Sequence, residues 1–186
     1  MTDKSLILTA LKKYNTTFED EVSFIQKTIN FIKSTPNCFD RSHLEGHVTG
    51  SAWLLSPDGT KILLTHHKKL NRWLQFGGHS DGESNTWNVA LREATEESGI
   101  QNIQFVSSDI FDVDVHTIPE NSKKNEPEHI HYDIRFLLRA PTEMFTVSDE
   151  SNLLKWFTFQ ELSVMAEKEE ISLSMKRMMK KWKALM

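Results

Sequence analysis

The chain contains a single cysteine, and this scarcity limits its redox chemistry. Cys38 permits no internal disulfide, so we expect a protein from a reducing compartment. No apolar run is long enough to span a bilayer. The apolar stretch at residues 6–11 is short, contains Thr9 and ends at two lysines, which is unlike a signal peptide. These absences predict a soluble cytoplasmic protein with no membrane partner.

An excess of charge of one sign is also missing. The 22 Lys and Arg residues stand against 26 Asp and Glu residues, which leaves a net charge of −4. This balance argues against a dedicated nucleic-acid binder. A length of 186 residues is sufficient for one domain with a proper core and an appendage.

Glycine is scarce, and three of the seven glycines lie close together. Gly77, Gly78 and Gly82 form a loop in which the missing Cβ lets the backbone turn tightly or approach a ligand. A run without Gly or Pro follows at residues 86–98, and Gly99 supplies a stop signal. The pattern predicts a glycine-rich loop followed directly by a helix.

Three carboxylates crowd one side of this predicted helix. Glu93, Glu96 and Glu97 are three and four residues apart, close enough to share a cation. Like charges at such spacing repel by roughly a few tenths of a kcal/mol per pair, so a counter-charge is expected. Mg²⁺ prefers carboxylate oxygens and retains waters and substrate phosphates. A solvated acidic helix face is the alternative, and the adjoining glycine loop favours the metal site.

The stretch from Gly77 to Ile100 resembles the Nudix box. The second half of the box matches at every position: Arg92, Glu93, Ala94, Glu96, Glu97, Gly99 and Ile100. Gly78 lies at the expected distance before Arg92. The first acid departs from the pattern, because the expected position holds Ser84 and the glutamate is Glu83, one residue earlier.

This resemblance implies an α/β fold of the Nudix type, an α/β/α sandwich around a mixed β-sheet. We assign residues 43–186 to the Nudix hydrolase domain. Residues 1–42 carry two amphipathic helical patterns and form an N-terminal helical extension. A capping arrangement at residues 17–20 is expected to begin the second helix. We expect this extension to pack on the main domain, and a role as a homodimer contact or as a lid is an open alternative.

The resemblance also implies a site and a reaction. The expected ligands of Mg²⁺ or Mn²⁺ are Gly77 through its carbonyl, Glu83, Glu93, Glu96 and Glu97. The three helical glutamates and Arg92, which would orient a carboxylate, are the expected catalytic residues. The implied activity is metal-dependent hydrolysis of the pyrophosphate bond of a small nucleoside diphosphate linked to another moiety.

Two other functions of the same fold are considered. A catalytically inactive sensor of a nucleotide derivative is the main alternative, and the complete acid set argues against it. A diphosphate isomerase would need a catalytic cysteine in a strand, whereas Cys38 lies upstream of the domain.

Basic residues ahead of the glycine loop are candidates for substrate contact. Lys68 and Arg72 could bind diphosphate oxygens, and an ordinary basic loop is an equal alternative. His79 within the loop could act as a ligand or as a general acid or base, or could simply face solvent. Residues 119–128 are polar, contain two prolines and indicate a loop of the kind that borders a site.

Residues 129–139 alternate strictly between polar and apolar side chains and predict a strand. The polar face includes His131 and Asp133, which we expect to line a substrate cleft, with a water-facing surface as the alternative. Two histidines at this spacing could hold a metal, although a hydrolase built on carboxylates does not need one. Near the C-terminus, residues 171–186 predict a helix with a Met and Trp core stripe and a solvated basic face.

Overall fold

The computed structural model describes residues 4–68, 70–121, 126–148 and 151–186. Its helices are α1 (Ser5–Lys13), α2 (Glu19–Ser34), α3 (Thr86–Ser98), α4 (Phe159–Glu167) and α5 (Leu173–Lys183). Its strands are β1 (Gly46–Leu55), β2 (Lys61–His67), β3 (Arg72–Leu74), β4 (Phe76–His79), β5 (Gln104–Phe105), β6 (Asp112–Ile118), β7 (His129–Arg139) and β8 (Ser151–Thr158). Residues 122–125 of the predicted loop at 119–128 lie outside the described part.

The sheet is mixed and is built around the parallel pair of β1 and β7. The register of this pair runs from Gly46 opposite Ile130 to Leu55 opposite Arg139. On its other side, β1 pairs antiparallel with β4 and, near its end, with β2. β7 also pairs with β5 and β6, and β2 also pairs with β3 and β8. The mixed sheet with helices on its sides confirms the predicted α/β architecture.

Alternating side chains of the sheet feed two hydrophobic cores. On β1, Ala52 and Leu54 belong to the core that includes α3, whereas Trp53 and Leu55 belong to the core that includes α4 and α5. The strand period of two therefore assigns each residue to one layer of the sandwich. Gly50 faces α3 closely, because a Cβ there would lie 2.9 Å from the Cβ of Val89.

Local signals set both ends of α3 where the sequence predicts them. The Asn85 side chain accepts a hydrogen bond from the Asn88 backbone N–H, which satisfies one of the donors exposed at the helix start. Gly99 ends the helix with a φ of 68°, the left-handed conformation that glycine adopts without steric cost.

Two local predictions are wrong. Residues 77–79 belong to strand β4 and not to a loop, because their backbone pairs with β1, so the loop begins only at Ser80. The N-cap of α2 is Phe18, which makes no side-chain capping bond. The Thr16 hydroxyl accepts the Phe18 backbone N–H and donates to the buried Glu21, so these local bonds form one residue before the predicted capping arrangement at residues 17–20.

The N-terminal helices pack against the edge of the sheet. The Glu21 carboxylate of α2 is buried and accepts the backbone N–H of Val113 in β6 at 2.9 Å. Phe31 stacks on Tyr132 of β7 with ring centroids 4.0 Å apart. The division into residues 1–42 and 43–186 stays a prediction, and apolar residues of α1 and α2 belong to the same core as α3.

A buried ion network occupies the polar face of the sheet beside α5. Arg135 bonds three carboxylates, those of Asp112, Asp114 and Asp133, at 2.7–3.1 Å. Arg177 of α5 bonds Asp112 as well and is only 3% exposed. The predicted solvated basic face of the C-terminal helix is therefore wrong at Arg177, whose charge is neutralised inside the protein.

Within the described ranges, no helix has both the length and the apolar character needed to cross a membrane.

Replacing Arg135 with methionine is expected to destabilise the fold by about 3–5 kcal/mol, because three buried carboxylates lose their shared cation. The control is Lys61→Met, which removes an exposed ion pair with Glu143 and is expected to cost about 0–1 kcal/mol. Urea unfolding followed by circular dichroism measures both free energies. Equal losses in the two variants would contradict the role given to the network.

Candidate active site

The glycine pair of β4 lets the sheet contact the acidic helix directly. Gly78 faces α3, and a Cβ at this position would lie 2.5–2.6 Å from the carboxylate atoms of Glu93. No side chain fits there unless Glu93 moves. The glycine therefore sets the distance between β4 and the first helical acid of the box.

The second glycine holds another acid of α3. The backbone N–H of Gly77 donates to Oε1 of Glu97 at 3.0 Å. In an extended strand the N–H and C=O of one residue point to the same side. The Gly77 carbonyl, which the sequence predicts as a metal ligand, therefore points away from β1 on the side where Glu97 lies.

Arg92 ties the helical acids to the strand. Its Nη1 lies 2.7 Å from Glu93 and 3.5 Å from Glu96, and its Nη2 donates to the backbone carbonyl of His79 at 2.9 Å. The Glu93 side chain is 15% exposed and that of Glu96 is 62% exposed. One guanidinium thus positions β4 against α3 while leaving carboxylate oxygens accessible.

Glu83 lies just before α3, ahead of the N-cap residue Asn85. Its exposed carboxylate accepts the backbone N–H of Asn85 at 2.7 Å. The turn before it is anchored to the segment after α2, because the Gly82 N–H donates to the Phe39 carbonyl at 2.9 Å. The offset glutamate therefore supports the beginning of α3 in this structure, and its role as a metal ligand stays a prediction.

The acids of α3 that face β4 are donors of the type that a hard divalent cation prefers. Glu93 and Glu97 both point to β4, Glu96 lies beside them on Arg92, and the Gly77 carbonyl is on the same side. These are oxygen donors with partial solvent access, which is what Mg²⁺ and Mn²⁺ prefer. Oxygen donors of this type fit the cation that the sequence predicts, and the assignment of the individual carboxylates as its ligands stays a prediction.

The predicted substrate residues are dispersed. Lys68 follows β2 and Arg72 opens β3, and both are exposed at the hairpin that precedes β4. Asp133 is 2% exposed and accepts hydrogen bonds from Thr49 and Ser51. This burial argues against the predicted contact between Asp133 and a substrate and assigns its carboxylate to the internal ion network.

His131 and His79 belong to a group that sequence reasoning did not assemble. The ligand atoms of His47, His79, His129 and His131 all lie within 4.8 Å of one another. His47 is opposite His131 in the parallel register, and His79 follows Gly78 on the other face of β4. The alternation of residues 129–139 pointed to two of these histidines, but nothing local in the sequence pointed to His47.

The environment keeps the central histidines neutral. Burial and the nearby histidines lower the pKa of His47 to about 4 and that of His131 to about 2. His116 lies next to the group and bonds Asp114, with its ring 5.6 Å from that of His131. Uncharged imidazoles in this setting retain nitrogen lone pairs as acceptors or metal ligands.

Solved structures share this fold. A hydrolase of the NUDIX family from Clostridium perfringens matches with a TM-score of 0.54 at 22% identity, over 75% of this chain and 98% of that one. An Ap4A hydrolase from C. elegans in a binary complex gives 0.54 at 17% identity, over 74% and 96%. The MutT protein from Methanosarcina mazei Go1 gives 0.54 at 16% identity, over 76% and 96%. At these identities the likeness establishes the fold alone.

A comparison with curated proteins finds no match. The family model of the NUDIX domain matches residues 46–181, which is well over half of the chain and includes α3, β4 and their acids. The chain therefore belongs to the Nudix family and is a pyrophosphohydrolase.

Proposed function

We propose that the enzyme uses Mg²⁺ or Mn²⁺ to hydrolyse the pyrophosphate bond of a small nucleoside diphosphate linked to another moiety. The observation that carries the proposal is the packing of Glu93 and Glu97 of α3 against the two glycines of β4. A stability argument alone does not explain it, since clustered acids repel one another.

The metal, when bound, would neutralise diphosphate charge and lower the pKa of an attacking water. The chain supplies the positioning. The N–H of Gly77 bonds Glu97, and Gly78 leaves room for Glu93. Arg92 binds Glu93 with one guanidinium nitrogen and the backbone carbonyl of His79 with another. Side chains fixed in this way keep their charge in place and need not reorganise during the reaction.

The substrate class draws on chemistry and on one structural neighbour. Nucleoside triphosphates, ADP-ribose-like sugars, dinucleotides and coenzyme A derivatives all present a diphosphate. The C. elegans neighbour is an Ap4A hydrolase, so Ap4A represents the dinucleotides in a test panel. Exposed Lys68 and Arg72 are our candidates for contact with the phosphates.

Glu96→Gln and Glu97→Gln are each expected to lower kcat by about 100-fold or more, because each removes a negative oxygen from the metal site. Chromatographic separation of the two phosphorylated products across the panel, with Mg²⁺ and with Mn²⁺, measures the loss. The control Glu143→Gln changes an exposed acid outside the site and should retain full activity. Full activity in both site variants would refute the assignment of the metal ligands.

Gly78→Ala is expected to lower kcat by roughly 100-fold, since the added Cβ would lie 2.5 Å from the Glu93 carboxylate and would displace it. The melting temperature should change little, because the displaced group is the far end of a side chain. The control is Ser84→Ala, in the adjoining turn, with unchanged kinetics. Wild-type kcat in Gly78→Ala would mean that the contact does not position the acid.

The same panel distinguishes the inactive sensor. Metal-dependent turnover that Glu97→Gln abolishes supports the hydrolase. A compound that raises the melting temperature of the wild-type protein, with no turnover of any compound, would support the sensor instead.

A further inference from the structure

We propose that His47, His79, His129 and His131 form a second metal site, separate from the carboxylates of α3, that binds one divalent transition ion of the kind imidazole prefers. Zinc is the ion to test. This site does not depend on the identity of the substrate.

The spacing of the nitrogens suits one ion. All four histidines offer a nitrogen within a span of 4.8 Å, and Nε2 of His129 lies 3.2 Å from Nε2 of His131. Two imidazole nitrogens bound tetrahedrally to zinc, each at about 2 Å, lie roughly 3.3 Å apart. The His129–His131 pair thus already has the separation that two ligands of one ion require.

A buried histidine supplies independent evidence that the group is built for a ligand. His47 is 3% exposed, and among the described residues its ring makes no hydrogen bond of good geometry, although the His43 backbone carbonyl acts on it as an acceptor that raises its pKa. Its ring contacts those of His79, His129 and His131 at centroid distances of 4.7–5.0 Å. Burying an imidazole with an unsatisfied nitrogen is costly, and a metal ion in the group would satisfy it.

A backbone contact orients His129 for coordination. Its Nδ1 lies 2.8 Å from the Pro127 carbonyl, which can only accept, so Nδ1 carries the proton. In neutral His129 the lone pair is then on Nε2, the atom that faces His131. An imidazole whose other N–H donates to a backbone carbonyl is the usual arrangement in protein metal sites. A hydrogen bond from an N–H of His131 could satisfy Nε2 of His129 without a metal ion, but the buried His47 ring would then still have a nitrogen without a partner.

The donor type separates this site from the carboxylate site. Four neutral nitrogen donors favour zinc, nickel or copper, whereas Mg²⁺ seeks oxygen. The two sites also lie on opposite faces of β4, since Gly78 contacts Glu93 and His79 contacts His47. A zinc ion bound here would join β1, β4 and β7 and would stabilise β4, the strand that contacts Glu93 and Glu97.

The test uses the full chain without a histidine tag, dialysed against a chelator and kept in excess Mg²⁺ to occupy the carboxylates. Calorimetric titration with Zn²⁺ should give one ion per chain. Co²⁺ should give the visible absorption of a tetrahedral nitrogen site, and Zn²⁺ should raise the melting temperature. Absence of binding at one ion per chain would overturn the proposal.

Variants locate the ion. Loss of a group that only hydrogen-bonds a metal ligand already costs about 10–100-fold in metal affinity, so His47→Ala and His129→Gln, which each remove a ligand, should cost at least about 100-fold. His129 is half-buried and keeps the test decisive if His47→Ala fails to fold. The control His66→Asn, on β2 outside the group, should bind zinc as the wild-type does.

Glu97→Gln assigns the ion to one of the two sites. It should leave the zinc affinity unchanged, because Glu97 bonds the Gly77 N–H and supplies no ligand to the histidine group. Loss of zinc in Glu97→Gln, with retention in His129→Gln, would place the ion at the carboxylates and refute the four-histidine site.

Discussion

The arrangement of this protein depends on the charge balance around Arg135. This guanidinium is buried in the sheet, where burial alone would lower its pKa, but Asp133, Asp114 and Asp112 raise it and keep it charged. Asp112 and Asp114 also bind Arg177, so the network attaches α5 to the sheet. Lys181 extends it to Glu21 of α2. Helices from both ends of the chain are thus attached to the sheet by charged side chains. Each of these charges needs its partner, since an unpaired charge in this interior is costly.

β4 links the two candidate centres. In this four-residue strand, Gly78 faces the acids of α3 while His79 faces the other histidines, because neighbouring residues of a strand point to opposite sides. Arg92 binds Glu93 on one side and the backbone carbonyl of His79 on the other. The position of β4 therefore bears on both centres, and glycine is needed at Gly78 because the helix lies so close.

The parts of the site that follow helical periodicity could be predicted from the sequence. The bounds of α3, its stop at Gly99 and the row of acids depend on contacts a few residues apart and on one left-handed glycine. Pairings between distant strands could not be derived in this way. Asp133 looked like a cleft residue because alternation gives its face but not what covers that face. α5 packs beside that face, where its Arg177 bonds Asp112 and Asp114, the other two carboxylates held by Arg135.

The sequence by itself determined the family, the α/β class, the acidic helix and the alternating strand at 129–139, because each is encoded in spacings within a short window. Only the tertiary structure decided that His47 lies opposite His131, that Gly78 packs against Glu93 and that Arg177 is buried. Those outcomes depend on the parallel register of β1 and β7 and on where α5 packs. Both are contacts between residues far apart in the chain, whose side chains carry no local signal of the partner that they meet.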